Sequence, residues 1–436
     1  MNPRNREIPV ISRPLLVALA CVALANLLPV RHARADVAFV VDSTVDRIDD
    51  NTADGICHTS AGTCSLRAAI MQANHLDVPA VRIEVPAGTY TITIPRGGAD
   101  FDAEDTGDLD LAPLNGNQNV SVRGAGAALT IIDGNHTERV FFVDVGARAT
   151  LANMTIRNGT TLSGAGISNF AALTLADSIV EDNLGFDGGG IYSSGTLNVV
   201  RSTIRSNIAT KGGGLYLTGA SALRGSTVHS NGADDGGGIY SSSQPLYLVN
   251  STLSTNTANT NGGGIYSAGS TYFYNASVIN NDADHDRDQN GGIGGGVYVA
   301  AGTFGISNTL IVQNTILDAP IDDDCNGFLV AFGWNLFGET DGCAFGGIGA
   351  AAVGLVSAAT IGPLQDNGGP AWTHALLAGS EAIDTVFAAD GCYDQNLAPL
   401  TIDQRGAQRP AGARCDVGAY EYNAIFETLF EDGFER

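Results

Sequence analysis

Three consecutive glycines followed by an aliphatic residue and a tyrosine, as in DGGGIYSS at 187–194, recur through the middle of this chain. Each glycine placed in a strand or helix costs about 0.5–1 kcal/mol relative to alanine, so the phrase needs a structural reason to be repeated. It returns as KGGGLYLT at 211–218, DGGGIYSS at 235–242, NGGGIYSA at 261–268 and GGGVYVA at 294–300, with a weaker copy, GAGIS, at 164–168. The first glycines, at 164, 188, 212, 236, 262 and 294, are separated by 24, 24, 24, 26 and 32 residues. A second ladder runs beside them: Asn158, Asn183, Asn207, Asn231, Asn256, Asn281 and Asn314. Ser/Thr steps such as RSTIRSN and NSTLSTN lead into these asparagines.

A period near 24 that holds three short β segments predicts a parallel β-helix, one unit per turn stacked on its neighbours. In one repeat the alternation of apolar residues places strands at 190–193, 196–200 and 203–205. Stacked asparagines are expected to hydrogen-bond along the turns, and glycines to permit positive φ and close backbone approach at one corner. No copy opens a helix with a lysine in the phosphate-loop pattern, so the glycines read as structural.

Composition agrees with a turn-rich β protein: 56 of 436 residues are glycine and 16% are charged. Arg4, Arg6 and Arg13 precede an apolar run from Leu15 to Leu28, and Ala33-Arg34-Ala35 offers a small-x-small cleavage site, which reads as a secretory signal peptide over 1–35. Cys21 raises a lipid-attached alternative, but Ala18 stands where such a motif has leucine. Removing 1–35 takes five of 22 basic and one of 46 acidic residues, leaving 17 against 45, a net charge of −28. Such a surface repels nucleic acid and anionic membranes and favours cations. Six cysteines remain in three close pairs, Cys57 with Cys64, Cys325 with Cys343 and Cys392 with Cys415, which reads as three disulfides in an oxidising compartment. No transmembrane span is expected in the mature chain, and oligomeric state is not encoded legibly.

Three stretches carry resemblances. CSLRAAIMQAN at 64–74 resembles the CSLREA-type domain found at the start of exported bacterial β-helix proteins, with Ala68 where that motif has glutamate. The central array resembles the right-handed parallel β-helix repeats of pectate-lyase-like folds and the repeats of polymorphic outer-membrane proteins. GWNLFGETDGC, GPLQDNGGPAWTHALLAGSEAID and DQRGAQRPAGARCDVGAYEY, between 333 and 422, resemble the choice-of-anchor domain of class Q. Together they imply an exported, surface-associated protein. The expected organisation is a signal peptide (1–35), an N-terminal cap (36–80) with a helix from Leu66 to His75, a right-handed parallel β-helix (81–320), a disulfide-stapled region closing the far end (321–422) and an acidic aromatic tail (423–436).

Candidate chemistry lies outside the glycines. Asp187, Lys211, Asp235 and Asn261 precede successive glycine runs and form one outer column. With rungs about 4.8 Å apart, Lys211 would sit about 5 Å from each carboxylate and the aspartates about 10 Å apart, near the roughly 6.5–9.5 Å of inverting glycosidases. A charge ladder between stacked turns is the plainer reading. Tyr192, Tyr216, Tyr240, Tyr266 and Tyr298 form a second outward column, able to stack on sugar rings or on one another. Asp282, Asp284, Asp286 and Asp288 alternate in the longest repeat, and Asp102, Asp105, Asp108 and Asp110 fall in an earlier loop; both suit Ca²⁺ or a solvated acidic loop. His285 and His374 alone indicate nothing.

The sequence thus reads as an exported scaffold, adhesin-like or carbohydrate-binding and non-catalytic. The alternatives are a polysaccharide lyase or glycoside hydrolase working through Asp187, Lys211 and Asp235, and a structural surface spacer.

Overall fold

In-register parallel pairing, rung on rung, defines this structure, a computed structural model that describes residues 37–97, 104–114, 116, 118–286, 291–316, 321–347, 353–357, 360–386 and 391–426. The expected 1–35 leader, most of the tail, Asp102 and Asp288 lie outside these residues. The strands of the repeat at 190–205 are Ile191–Ser193, Thr196–Val200 and Thr203–Arg205. Each pairs in parallel with its counterpart one period on, for example Tyr192 with Tyr216, Val199 with Leu223 and Ile204 with Val228. The result is a parallel β-helix with a tyrosine-bearing face and a long-strand face joined in one 20-stranded sheet, an 11-stranded third face and a five-stranded ladder along one turn.

Alternation puts one aliphatic column from each face inside. Ile191, Leu197, Val199 and Ile204 are fully or almost fully buried, as are their counterparts Leu215, Leu223 and Val228. Burying each such side chain stabilises by about 1.5–3 kcal/mol, and stacking identical rungs repeats that gain without a new packing solution.

The three glycines of a repeat have three different causes. Gly188 lies at φ 69°, the left-handed turn. A Cβ on Gly189 would lie 2.4 Å from the carbonyl oxygen of Ile208, and one on Gly190 would lie 2.6 Å from that of Gly214 and 3.0 Å from the Asn207 amide nitrogen. The triplet is therefore one turn, one backbone contact and one seat for the asparagine ladder.

That ladder is continuous from Asn183. Asn207 donates from Nδ2 to Asn231 Oδ1 at 3.0 Å, and Asn231 does the same to Asn256 at 3.0 Å. It ends on a carboxylate: Asn314 donates its backbone N–H and Nδ2 to Asp324 Oδ1, while Gly338 and Glu339 donate to Oδ2. Asn158 is not a rung of it. Its Nδ2 turns to Asp133, and the Asn183 acceptor is met instead by the backbone N–H of Gly159.

The coil is longer than the expected 81–320. Val37–Val40 already pairs with Ala80–Val85, and Cys343–Gly347 and Val353–Leu355 extend two faces beyond Cys325–Phe332 and Asn335–Phe337. Helix α1, Leu66–His75, is capped by Ser65 Oγ, which accepts from Ala68 N. It buries Ala69, Ile70 and Ala73 against the first rungs, so the N-terminal core is covered. Arg67, in the first turn of this helix, is buried, paired with Asp46 at 2.7 Å and donating to the carbonyls of Gly107 and Asp108. All three disulfides pair as the spacing implies.

The C-terminal region does not simply close the far end. Residues 360–386 and 391–426 run back along the third face as a flank. Thr227 Oγ1 donates to the Trp372 carbonyl, Thr252 Oγ1 to Gln404 Oε1, Arg409 Nη1 to Asn250 Oδ1, and Ala419 N to Ser277 Oγ. A second apolar core forms there between Ile279, Leu310 and Val312 of the coil and Leu376, Val417 and the Cys392–Cys415 pair of the flank. Within the flank Arg405 pairs with Asp403 at 2.7 Å and Arg409 with Glu421 at 2.9 Å, all four buried.

Candidate functional site

The tyrosine face is built by the aliphatic-Tyr-Ser/Leu strand that follows each glycine triplet. Ile191 and Ser193 point in and are fully buried, so Tyr192 between them stands outward and half-buried. Strand pairing brings all five predicted tyrosines into one column: Tyr192, Tyr216, Tyr240, Tyr266 and Tyr298. Their rings stack on one another, at centroid separations of 5.6, 5.0 and 4.6 Å and interplanar angles of 11°, 7° and 10° from Tyr192 to Tyr266. Tyr298 tilts away from Tyr266 by 52°. Toward the N-terminus the stack continues through Phe170 and Phe142. Phe170 fills the level where Ser168 occupies the strand position, a continuation that the five-tyrosine pattern did not reveal.

Ring-on-ring stacking uses the faces of the middle tyrosines, so sugar rings cannot lie flat on them. What they present is a row of ring edges and hydroxyls, one per rung. Burial pushes the Tyr240 hydroxyl up to about 12, helped by neighbouring Tyr266, Tyr216 and Asp235; Tyr216 and Tyr266 shift in the same direction for the same first reason. The row is therefore neutral and able both to donate and to accept.

Asp187, Lys211 and Asp235 occupy consecutive rungs, joined by parallel backbone bridges. The Lys211 ammonium lies 5.4 Å from the centroid of the Tyr240 ring, and among the described residues it makes no ion pair within 4 Å. Asp235 accepts from Thr260 Oγ1 and the Asn261 backbone N–H. Asp187 is raised above the usual carboxylate range by burial, which Lys211 partly offsets. Beside this column Leu162, Leu184, Phe186 and Ile208 are exposed, the first by 77%.

The aspartate runs are engaged locally. Asp108 pairs with Arg139, and Asp282 accepts from Thr315 Oγ1 at 2.9 Å and faces His285 Nδ1 at 3.1 Å. Asp105 is exposed in its loop, Asp110 is buried on the first tyrosine-face strand, and Asp284 is buried while Asp286 is exposed. Among the described residues the carboxylate and histidine groups that come within reach of one ion are Asp49, Asp50 and His58, near the first disulfide. Asp49 is organised by the loop itself, accepting from the backbone N–H groups of Asn51 and His58. No helix among the described residues is long and apolar enough to cross a membrane.

No protein-family profile and no curated protein matches the chain. Among solved structures it is similar to a crystal structure of pectate lyase Pel9A, with 15% sequence identity and a TM-score of 0.49 over 89% of this chain and 98% of that one.

Proposed function

We propose that the protein is an exported, surface-associated β-helix scaffold that binds a neutral polysaccharide along the tyrosine column without cleaving it. One observation carries the reading: hydroxyls repeat once per rung, at the 4.6–5.6 Å ring spacings of Tyr192, Tyr216, Tyr240 and Tyr266. An extended sugar chain advances by about one rung spacing per residue, so a chain along the coil axis meets one hydroxyl per sugar. The net charge of −24 over the whole sequence disfavours polyanions unless cations bridge them. Calcium at Asp282, Asp284, Asp286 and Asp288 belongs to that bridged case. Resemblance to CSLREA-type and class Q anchor segments supports the surface location and an adhesin-like role.

A second reading, a polysaccharide lyase or glycoside hydrolase, is favoured by one observation: Asp187, Lys211 and Asp235 lie on consecutive rungs beside the same face. The test is retention of the protein on neutral and acidic polysaccharides, with and without calcium, read together with release of unsaturated or reducing ends. Tyr216→Phe/Tyr240→Phe keeps the ring stack and deletes two hydroxyls. Loss of retention in that variant, with no product from the parent protein, supports binding. Product formation abolished by Asp187→Asn establishes the enzyme, and neither retention nor product leaves a structural spacer.

A further inference from the structure

Two histidines sit in the seam between coil and flank. His229 ends the coil strand Thr227–His229, and its ring stacks on Trp372 of the flank at 5.7 Å and 11°. His374, on the flank strand Thr373–Leu376, meets coil Ser254 Oγ through Nε2 at 2.9 Å and the Gly362 carbonyl through Nδ1 at 2.8 Å. Because a carbonyl only accepts, Nδ1 carries a proton, and in the neutral ring Nε2 accepts from the serine. Both histidines are buried, 6% and 3% exposed.

The surroundings give a second proton nothing to neutralise it. Facing His229 are Arg205 on the preceding coil strand and His374 on the flank, both of which disfavour a charged ring; the Arg205 guanidinium is itself held by Glu181 at 2.6 Å. Facing His374 are Ser254 and Gly362, with His229 beside it. Among the described residues no carboxylate contacts either ring. Burial accordingly holds both imidazoles down to about 4. The remaining seam contacts are mostly uncharged, such as Thr252 with Gln404 and Asn308 with the Gly391 carbonyl, or turn one charge onto a neutral group, as Arg409 does to Asn250. One ion pair, Arg224–Asp394 at 3.8 Å, crosses at the margin.

We propose that His229 and His374 make the flank an acid-released clasp. Protonating the pair expels the flank, residues 360–386 and 391–426, from the third face and uncovers the Thr227, Thr252 and Ser277 hydroxyls, while the coil stays folded. Linkage sets the direction: each ring binds its proton more readily when the flank is away, so acid favours release, by up to about two orders of magnitude per histidine. The coil survives because its rungs are held by backbone pairing, asparagine amides and aliphatic columns, none of which carries a proton that acid adds.

The test uses the full chain carrying Trp334→Phe, which leaves Trp372 as the one indole of the two in the sequence. Trp372 emission and quenching by acrylamide are followed from pH 7.5 to 3.5, with far-ultraviolet circular dichroism reporting the coil. The expected result is a Trp372 transition between pH 4 and 6.5, the bound and free histidine values, with the β signal retained, and its disappearance in His229→Phe/His374→Gln. Trp372 staying protected until the β signal collapses overturns the proposal, as does the same transition in the double variant. Should that variant not fold, imidazole titration by NMR in the unaltered protein decides. Ring protonation coincident with Trp372 exposure supports the clasp, and protonation with Trp372 still protected refutes it.

Discussion

Lys211, the only lysine in the chain, places its ammonium over the ring of Tyr240 at 5.4 Å, one rung away. A half-exposed cation over an aromatic face is worth about 0.5–1 kcal/mol, comparable with what an exposed ion pair would give. Lys211→Met is expected to cost no more than about 1 kcal/mol in chemical denaturation. Because Lys211 partly offsets the burial of Asp187, the same variant raises the Asp187 pKa further. Carboxyl titration by NMR reads that change, and a fall would show that the lysine does not act on Asp187.

The asparagine ladder predicts a contrast between two similar substitutions. Asn231 donates to Asn256 Oδ1, to the Ile204 carbonyl and to the His229 carbonyl, and accepts from Asn207. Asn231→Ala strands several fully buried groups and is expected to cost about 3 kcal/mol or more. Asn158→Ala removes part-buried bonds to Asp133 and should cost about 1 kcal/mol. Equal losses in urea melts would mean that the ladder adds nothing beyond local turn bonds.

Gly189 is predicted to be intolerant because backbone oxygens of the next rung, not a positive φ, exclude a side chain. A Cβ there would meet the Ile208 carbonyl oxygen at 2.4 Å and that of Gly213 at 2.7 Å, both backbone atoms held by the next rung. Gly189→Ala is expected to destabilise by about 3 kcal/mol or to prevent accumulation. Gly291→Ala, whose Cβ would meet nothing within 4 Å although φ is +73°, should cost about 1 kcal/mol. Soluble yield and melting temperature distinguish the two.

Alkali probes the tyrosine column. With Tyr240 at about 12 in the fold against 10.0 as its ordinary value, the neutral hydroxyl contributes stability that is present below pH 10 and lost as pH rises through 12. Absorbance at the phenolate band should show late-titrating tyrosines whose ionisation coincides with loss of β structure. Early, complete titration with the coil intact would place the rings in open solvent.

In acid two opposed effects meet. Asp324 and Asp416 are pushed up to about 7 by burial. Their contribution is full below the ordinary 3.8 and is lost as pH rises to 7. His229 and His374, held down to about 4, act oppositely, adding stability as pH rises from 4 to 6.5. Global stability measured by denaturant should therefore change little from pH 4.5 to 6.5, and His229→Phe/His374→Gln should instead fall across that interval. A wild-type stability that climbs steeply there would contradict the two carboxyl shifts.

Much of the coil was legible because a solenoid writes one packing problem many times. The strands at 196–200 and 203–205, the tyrosine column and the disulfide pairs follow from spacing, since a residue and its copy one period later must stack. Asn158 misled because it keeps the residue type while the strands here pair 24 residues apart, Ile156 with Val180, which puts Gly159 in the ladder position. The flank was hidden for another reason. Its partners are chosen across 83 to 177 residues, as in Asn308 with Gly391 and Thr227 with Gln404, and no periodicity reports such contacts. A trace existed in LIV at 310–312, three consecutive buried residues that signal a strand covered on both sides.

What the sequence determined alone is the repeat geometry: glycine, asparagine and alternating aliphatics admit one stacked coil, because each is a local steric or hydrogen-bonding requirement repeated at one period. Only the tertiary structure decided how the outward groups are spent. Tyrosine faces satisfy one another, Lys211 turns to a ring, and the C-terminal flank buries two histidines, because side-chain partners are selected by proximity in the assembled rungs rather than by position along the chain.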